Sequence, residues 1–191
     1  VALPPYPAWA AEEELLVSVA ALQRRLHEAS RSFRFDPSAA WYRPNLPDVG
    51  PGAIVGHNDL CIENVVVRDG RAVAFIDFDF AAPTDRLLDI AIACRHWVPL
   101  KHPDDLPPGW PPLDQGRRFR LFCDEHGLSP SERSRVVDFA SDFLDRALVT
   151  MRQKAESGLP LYAKVWESGY PEQNRRSHSW LAEQRDKGIL V

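Results

Sequence analysis

The sequence predicts an α+β fold, mostly helical, carrying one short β-hairpin. Apolar residues recur at helical spacing through long stretches whose ends hold Ser, Asp, Pro and Gly where helix starts and stops need them. Between two of these stretches lie the β-prone runs 65–67 and 72–76. They flank Asp69-Gly70, a dipeptide whose Gly accepts the positive φ of a tight hairpin turn. The chain has 191 residues, 45% of them apolar, enough for one compact domain with a core. With no internal repeat and no second boundary, 1–191 reads as one unit. Its parts are a leading segment, helix and loop (1–52), the hairpin region (53–98) and a helical region (99–191).

Residues 1–8 hold Pro4, Pro5 and Pro7 and read as extended. A helix is expected over about 10–30, with Leu15, Leu16, Val19, Leu22 and Leu26 on one face. Glu12, Glu13 and Glu14 sit near its start, where the helix dipole favours them. His27, near its end, reads as a packing or capping residue. Residues 33–52 form a loop with Pro37, Pro44, Pro47 and Pro51, anchored by burial of Trp41 and Tyr42. After the hairpin, Thr84 or Asp85 caps a helix to about 98. Asp89 lies on it among Leu87, Leu88, Ile90 and Ile92, and a carboxylate in so apolar a setting is paired or hydrogen-bonded. Residues 99–112 are an irregular Pro-rich loop, suited either to cover a site or simply to connect. Asp114 caps a helix to His126, stopped by Gly127. Ser129-Pro130-Ser131-Glu132 is a capping box with Pro at the first helical position. The helix it opens runs to about 157, with Val136, Val137, Ala140, Phe143, Leu144, Ala147, Leu148 and Met151 as its buried stripe. Two shorter helices follow, over 161–168 and 172–187, packed down by Trp166 and Trp180.

The chemistry-bearing residues cluster in 54–91. An apolar pair, Ile54-Val55, leads into His57-Asn58-Asp59; Asn64 precedes the first strand, and the second ends on Asp77-Phe78-Asp79. A regular two-residue hairpin makes Arg68 face Arg71, Val67 face Ala72, Val65 face Ala74 and Asn64 face Phe75. Asp77, two residues beyond Phe75, then points to the same side as Asn64. Asp59, five residues before Asn64, folds back over that open end. Two carboxylates and an amide make a hard oxygen-rich site that suits Mg²⁺. The plainer reading is a set of turn-forming Asp and Asn residues at strand ends. Asp77-Phe78-Asp79 also reads as an isolated metal-binding Asp-x-Asp, which leaves Asp59 and Asn64 unexplained.

His57-Asn58-Asp59-Leu60 with Asn64, then Ile76-Asp77-Phe78-Asp79, then Asp89-Ile90-Ala91, resembles the aminoglycoside phosphotransferase and choline kinase-like family of small-molecule kinases. Asn58 stands where that family's pattern has Gly, and Asp79 where protein kinases have the Gly of Asp-Phe-Gly. The resemblance implies a protein kinase-like C-terminal lobe. It implies ATP, or another nucleoside triphosphate, with Mg²⁺ as phosphate donor and a small-molecule hydroxyl as acceptor. Asp59 would take the acceptor proton, Asn64 and Asp77 would hold metal and nucleotide, and His57 and Asp89 would brace the loop. The segment Leu22 to His27 looks like the family's Leu-x-x-Leu-His helix.

Other features of such kinases are missing from the sequence. It has no Gly-x-Gly-x-x-Gly or Walker A stretch, and its four lysines, Lys101, Lys154, Lys164 and Lys187, all follow the motif. The N-terminal β lobe is therefore expected to be absent. The chain reads as a truncated form or fragment, its exposed apolar surface covered by the missing lobe or by a second copy. The alternatives are a catalytically impaired kinase-like binding module and a metal-dependent hydrolase. Net charge is −4, giving no electrostatic support for nucleic acid. No run approaches the roughly 20 apolar residues of a membrane span, and no signal peptide is visible. Cys61, Cys94 and Cys123 are odd in number and widely spaced, as expected of reduced thiols in a cytoplasm.

Overall fold

Side-chain caps set the starts of three of the six α-helices among the described residues. In the computed structural model, which describes residues 5–36, 38–106 and 110–190, Asp114 accepts a hydrogen bond from the Arg117 amide at 2.8 Å and opens α3 (Gln115–Glu125). The expected positions 1–4, Pro37 and 107–109 lie outside the described residues. Helix α1 spans Glu13–Ser30, three residues later than expected, because Ala8–Ala11 closes a tighter 3₁₀ turn first. Helix α2 (Arg86–Trp97) is capped by Asp85, which accepts from the Leu87 amide at 2.8 Å; Thr84 is not the cap. Helix α4 (Pro130–Glu156) begins with both halves of the capping box between Ser129 and Glu132. Two shorter helices follow, α5 (Pro160–Glu167) and α6 (Tyr170–Asp186).

Four short strands form two antiparallel pairs among the described residues. Strands β2 (Val65–Arg68) and β3 (Arg71–Phe75) make the expected hairpin, with Asp69 and Gly70 both at positive φ. The regular register holds only as far as Val67 opposite Ala72. Val73 is then inserted as a bulge, so Val66 faces Ala74 and Val65 faces Phe75. Beside the bulge the hairpin is tied to α1, where the Ala72 amide donates to Ser18 Oγ at 2.9 Å. The expected pairing of Asn64 with Phe75 is thus displaced by one residue, and the Ile76 amide donates to the Asn64 carbonyl at 3.0 Å. The second pair, β1 (Ile54–Gly56) with β4 (Ala82–Thr84), was not legible in the sequence. Its strands are three residues long, and β4 contains Pro83, which argues against a strand.

The core lies where α1, α2, α3 and α4 meet. Leu15, Leu16 and Val19 pack with Ile90, Cys94, Trp97, Phe119, Phe122, Val136 and Ala140. Arg118 is buried among them and spends its guanidinium on main-chain carbonyls, donating to Ala11 at 2.5 Å and Trp97 at 2.7 Å. Trp180 is buried as expected and Trp166 only half-buried. Tyr42 departs from expectation. Its ring is 57% exposed and lies against Phe80 at 5.3 Å, so it covers the loop after β3 and does not anchor in the core.

Strand β1 approaches α2 so closely that a side chain has no room at Gly56. A Cβ there would lie 2.6 Å from Thr84 Cγ2 and 2.8 Å from Asp89 Cγ. Gly56→Ala is expected to cost about 1–3 kcal/mol by overpacking. Urea unfolding of the variant beside the parent chain measures it.

Candidate functional site

The loop after β1 is held from below by one carboxylate. Asp89, fully buried on α2, accepts from the Asn58 backbone amide on Oδ1 at 2.6 Å. Its Oδ2 accepts from Gln23 Nε2 at 2.9 Å and from His27 Nε2 at 2.6 Å, both on α1. Gln23 Nε2 also donates to the Asp89 carbonyl at 3.1 Å, and Gln23 Oε1 faces His126 Nε2 at 3.2 Å. Burial alone would push the Asp89 carboxyl up. The His27 hydrogen bond and charge, with the Asn58 and Gln23 donors, overcome it and hold the group at about 2. Burial beside His27 lowers His126 to about 3, so it is neutral at pH 7 and donates Nε2–H to Gln23.

Asn58 adopts φ 60°, the left-handed conformation that Asn and Gly tolerate best. This accounts for Asn where the resembling pattern has Gly. The side chain adds a tie that Gly lacks: Nδ2 lies 3.3, 3.1 and 3.2 Å from the carbonyls of Gly56, Phe80 and Ala82. His57, also fully buried, donates Nε2–H to the Ile76 carbonyl at 3.0 Å and packs on Phe78 with ring centroids 4.6 Å apart. The loop is thereby fastened to α1, α2, β4 and the end of β3.

Above this support stand Asp59 and Asn64. Asn64 Nδ2 donates to the Asp59 carbonyl at 2.8 Å and to its carboxylate Oδ2 at 3.3 Å. The Cys61 amide donates to the same carbonyl at 2.8 Å, and Trp97 Nε1 to the Leu60 carbonyl at 3.1 Å. The Asp59 carboxyl is raised above its ordinary value. Burial is the main cause and the Asp77 charge adds to it, against lowering by His57 and the Asn64 hydrogen bond. Asp77 therefore lies within electrostatic reach of Asp59. It is exposed, at φ 60°, and its carboxylate makes no hydrogen bond or ion pair among the described residues. The turn after β3 brings it there, since strand alternation ends at Phe75. Asp79 is exposed and likewise without a side-chain partner among the described residues.

Two carboxylates repelling each other, with the Asn64 Oδ1 left free by its amide's commitment to Asp59, make an all-oxygen donor set. That fits Mg²⁺, which keeps several waters and needs few protein ligands. No group of three or more His, Cys, Asp and Glu side chains has metal-holding geometry among the described residues. Any cation here would thus be held partly by water or substrate. Cys61, beside Asp59, is pushed up to about 12 by burial first and then by the Asp59 charge, so it is an inert thiol. The sequence reading missed Gln23 and the direct partnership of His27 with Asp89. Their spacing of four on α1 puts both on one face, and that was the available signal.

Two expectations follow for stability. Asp89→Ala leaves His27, Gln23 and the Asn58 amide without their acceptor and is expected to cost about 3–5 kcal/mol in urea unfolding. In the parent chain the Asp89 contribution is complete above its ordinary carboxyl value of 3.8 and is lost as pH falls toward about 2. Asp59 has the opposite sign. Its raised carboxyl binds protons more tightly folded than unfolded, so stability falls as pH rises from 3.8 through the raised value. Asp59→Asn is therefore expected to melt higher than the parent at pH 7, with the difference vanishing below 3.8.

The family model of the phosphotransferase enzyme family matches residues 3–107, which contain every site residue named above except His126. A trifolitoxin immunity protein from Rhizobium leguminosarum bv. trifolii is 28% identical over 186 residues, covering 91% of this chain and 67% of the relative. No solved structure matches. The family match takes in more than half of the sequence, and the chain belongs to the phosphotransferase enzyme family.

Proposed function

We propose that the chain is the catalytic, kinase C-lobe-like part of a phosphotransferase that moves the γ-phosphate of ATP, or another nucleoside triphosphate, to a hydroxyl of a small molecule. The observation that supports this best is the convergence of Asp59, Asn64 and Asp77 above a loop held by buried Asp89. Asp59 orients the acceptor hydroxyl and takes its proton. The transition state of phosphoryl transfer is loose, so the main contribution is position. Its raised carboxyl makes Asp59 a better base than a free carboxylate. Asn64 and Asp77 would hold Mg²⁺, which would supply positive charge to offset that of the phosphates. His57 and Asp89 position the loop and touch no reactant.

The clamp over the nucleotide comes, in this reading, from a separate lobe or a second copy. Val73, Ile76 and Phe78 are exposed apolar residues around the hairpin. Beside them Leu22, Leu26, Phe75 and Phe78 line an open groove against α1. Such a surface suits a covering lobe. We place the chain in the cytoplasm on its free thiols, two of them fully buried, and no helix among the described residues is long and apolar enough to cross a membrane.

The relative is named as an immunity protein, and a second reading is a kinase-like module that binds a small molecule without transferring phosphate. Missing Gly-rich and upstream Lys elements fit that reading; the complete Asp59, Asn64 and Asp77 set fits the first. Calorimetric titration with ATP, with and without Mg²⁺, separates them. The phosphotransferase reading expects binding that needs Mg²⁺ and weakens at least tenfold in Asp77→Ala. It expects Asp59→Asn to keep that binding while losing phosphate transfer by a factor of about 100 or more. Equal binding without Mg²⁺, or an Asp77→Ala variant with unchanged metal dependence, would overturn it.

A further inference from the structure

Beside the candidate site lies a small cavity of about 90 Å³, room for roughly six waters at about 15 Å³ each. Its lining comes from the end of α2 and the loop after it (Arg95, Leu100, Lys101, Asp105), from α4 (Leu144) and from α6 (Tyr170, Asn174, Ser177). Helix α2 ties it to the catalytic loop, since Asp89 and Trp97 on the same helix bond Asn58 and Leu60. Arg95 also feels the charge of Asp59.

The charge of this cavity is unbalanced. Arg95 and Lys101 both line it, and neither makes an ion pair or side-chain hydrogen bond among the described residues. Arg95 rests on the Phe143 ring, 4.5 Å from its centroid, which leaves the guanidinium edge free. The one carboxylate in the lining, Asp105, is already gripped by Arg176, which donates to Oδ1 at 2.5 Å and to Oδ2 at 3.3 Å. Burial lowers both cations, and the Arg95 charge lowers Lys101 further. Neutral donors converge on the same space. The Tyr170 hydroxyl and the Gln173 amide have no partner among the described residues. Ser177 accepts from the His102 amide at 3.4 Å and keeps its own proton to donate. Two cations and three free donors around so small a volume, in a chain of net charge −4, form a receptor for an oxyanion.

We infer that the small molecule taken by this chain carries an acidic group, a carboxylate or a phosphate monoester, seated between Arg95 and Lys101 while its hydroxyl reaches Asp59. The inference rests on the phosphotransferase reading only for the role of that hydroxyl; the anion pocket stands or falls separately. It distinguishes this chain from any relative whose acceptor is a cation. An acceptor amine would meet Arg95 and Lys101 as like charges.

The test uses three probes of one skeleton, glycerate, glycerol 3-phosphate and glycerol, titrated without nucleotide or Mg²⁺ at fixed chloride. Amide shifts in ¹⁵N spectra are the readout. At least one of the two anions is expected to saturate at millimolar concentration and to shift Tyr170, Gln173 and Ser177; glycerol is expected to leave them in place. Whichever anion binds more tightly says whether the group is a carboxylate or a phosphate. Lys101→Gln and Arg95→Gln are each expected to weaken binding at least tenfold while keeping the parent spectrum elsewhere. Lys101→Gln, which removes one of two repelling cations, is expected to melt no lower than the parent in anion-free buffer. Neither anion binding, glycerol binding equally well, or anion binding unchanged in both variants would overturn the pocket assignment. Anion binding together with ATP binding that is equal with and without Mg²⁺ would leave the pocket standing and sink the phosphotransferase reading. Transfer to glycerol with no anion preference would do the reverse.

Discussion

Everything at the candidate site depends on the buried carboxylate of Asp89. Isolated, an ion in so apolar a place would cost several kcal/mol. Here three donors from two directions offset the cost: Gln23 and His27 from α1, and the Asn58 amide from the loop. One charge therefore fixes the distance between the first helix, the second helix and the loop carrying Asp59. The absence of a side chain at Gly56 lets the loop come that close, and the left-handed Asn58 turns it toward the donor hairpin. Stability and chemistry have opposite signs in this region. Asp89 is ionised and stabilising, while Asp59, half-buried and facing another carboxylate, is held in a state the fold alone disfavours. Such tension is expected where a side chain is kept for chemistry.

Much of this was legible before any coordinates. Helix starts were readable wherever a side chain supplies the missing acceptor, as at Asp114 and Ser129, because capping is local. The hairpin turn was readable for the same reason. What could not be read were effects set by distant partners. The Val73 bulge lies where the hairpin meets α1, with Ser18 taking the Ala72 amide from outside the local sequence. The β1–β4 pair forms between short segments that carry no period of their own and include Pro83. Gln23 gave no local sign of its task, since its partner lies 66 residues away. Asp59, Asn64 and Asp77 could be singled out as candidates because the motif packs them into nineteen positions. The route by which Asp77 arrives was misread, because its positive φ replaces strand alternation.

The two sides of the site differ in charge. On the hairpin side two carboxylates and an amide oxygen invite a cation. On the α6 side two cations and several free donors invite an anion. A phosphoryl group passing from a metal-bound donor to an anionic acceptor would find charge compensation on both sides. Arg95 lies on α2, the helix that also carries Asp89, and Lys101 in the loop after it.

The account's central claim is that the loop held by Asp89 builds a cation site from Asp59, Asn64 and Asp77. Paramagnetic line broadening by Mn²⁺, a stand-in for Mg²⁺, tests it most directly, read from ¹⁵N spectra of the chain with and without ATP. The account predicts that broadening at low Mn²⁺ centres on Asn64 and on the residues flanking Asp77, and that Asp77→Ala removes it. Broadening centred on the exposed carboxylates of α4 and α6, with the hairpin end untouched, would contradict it.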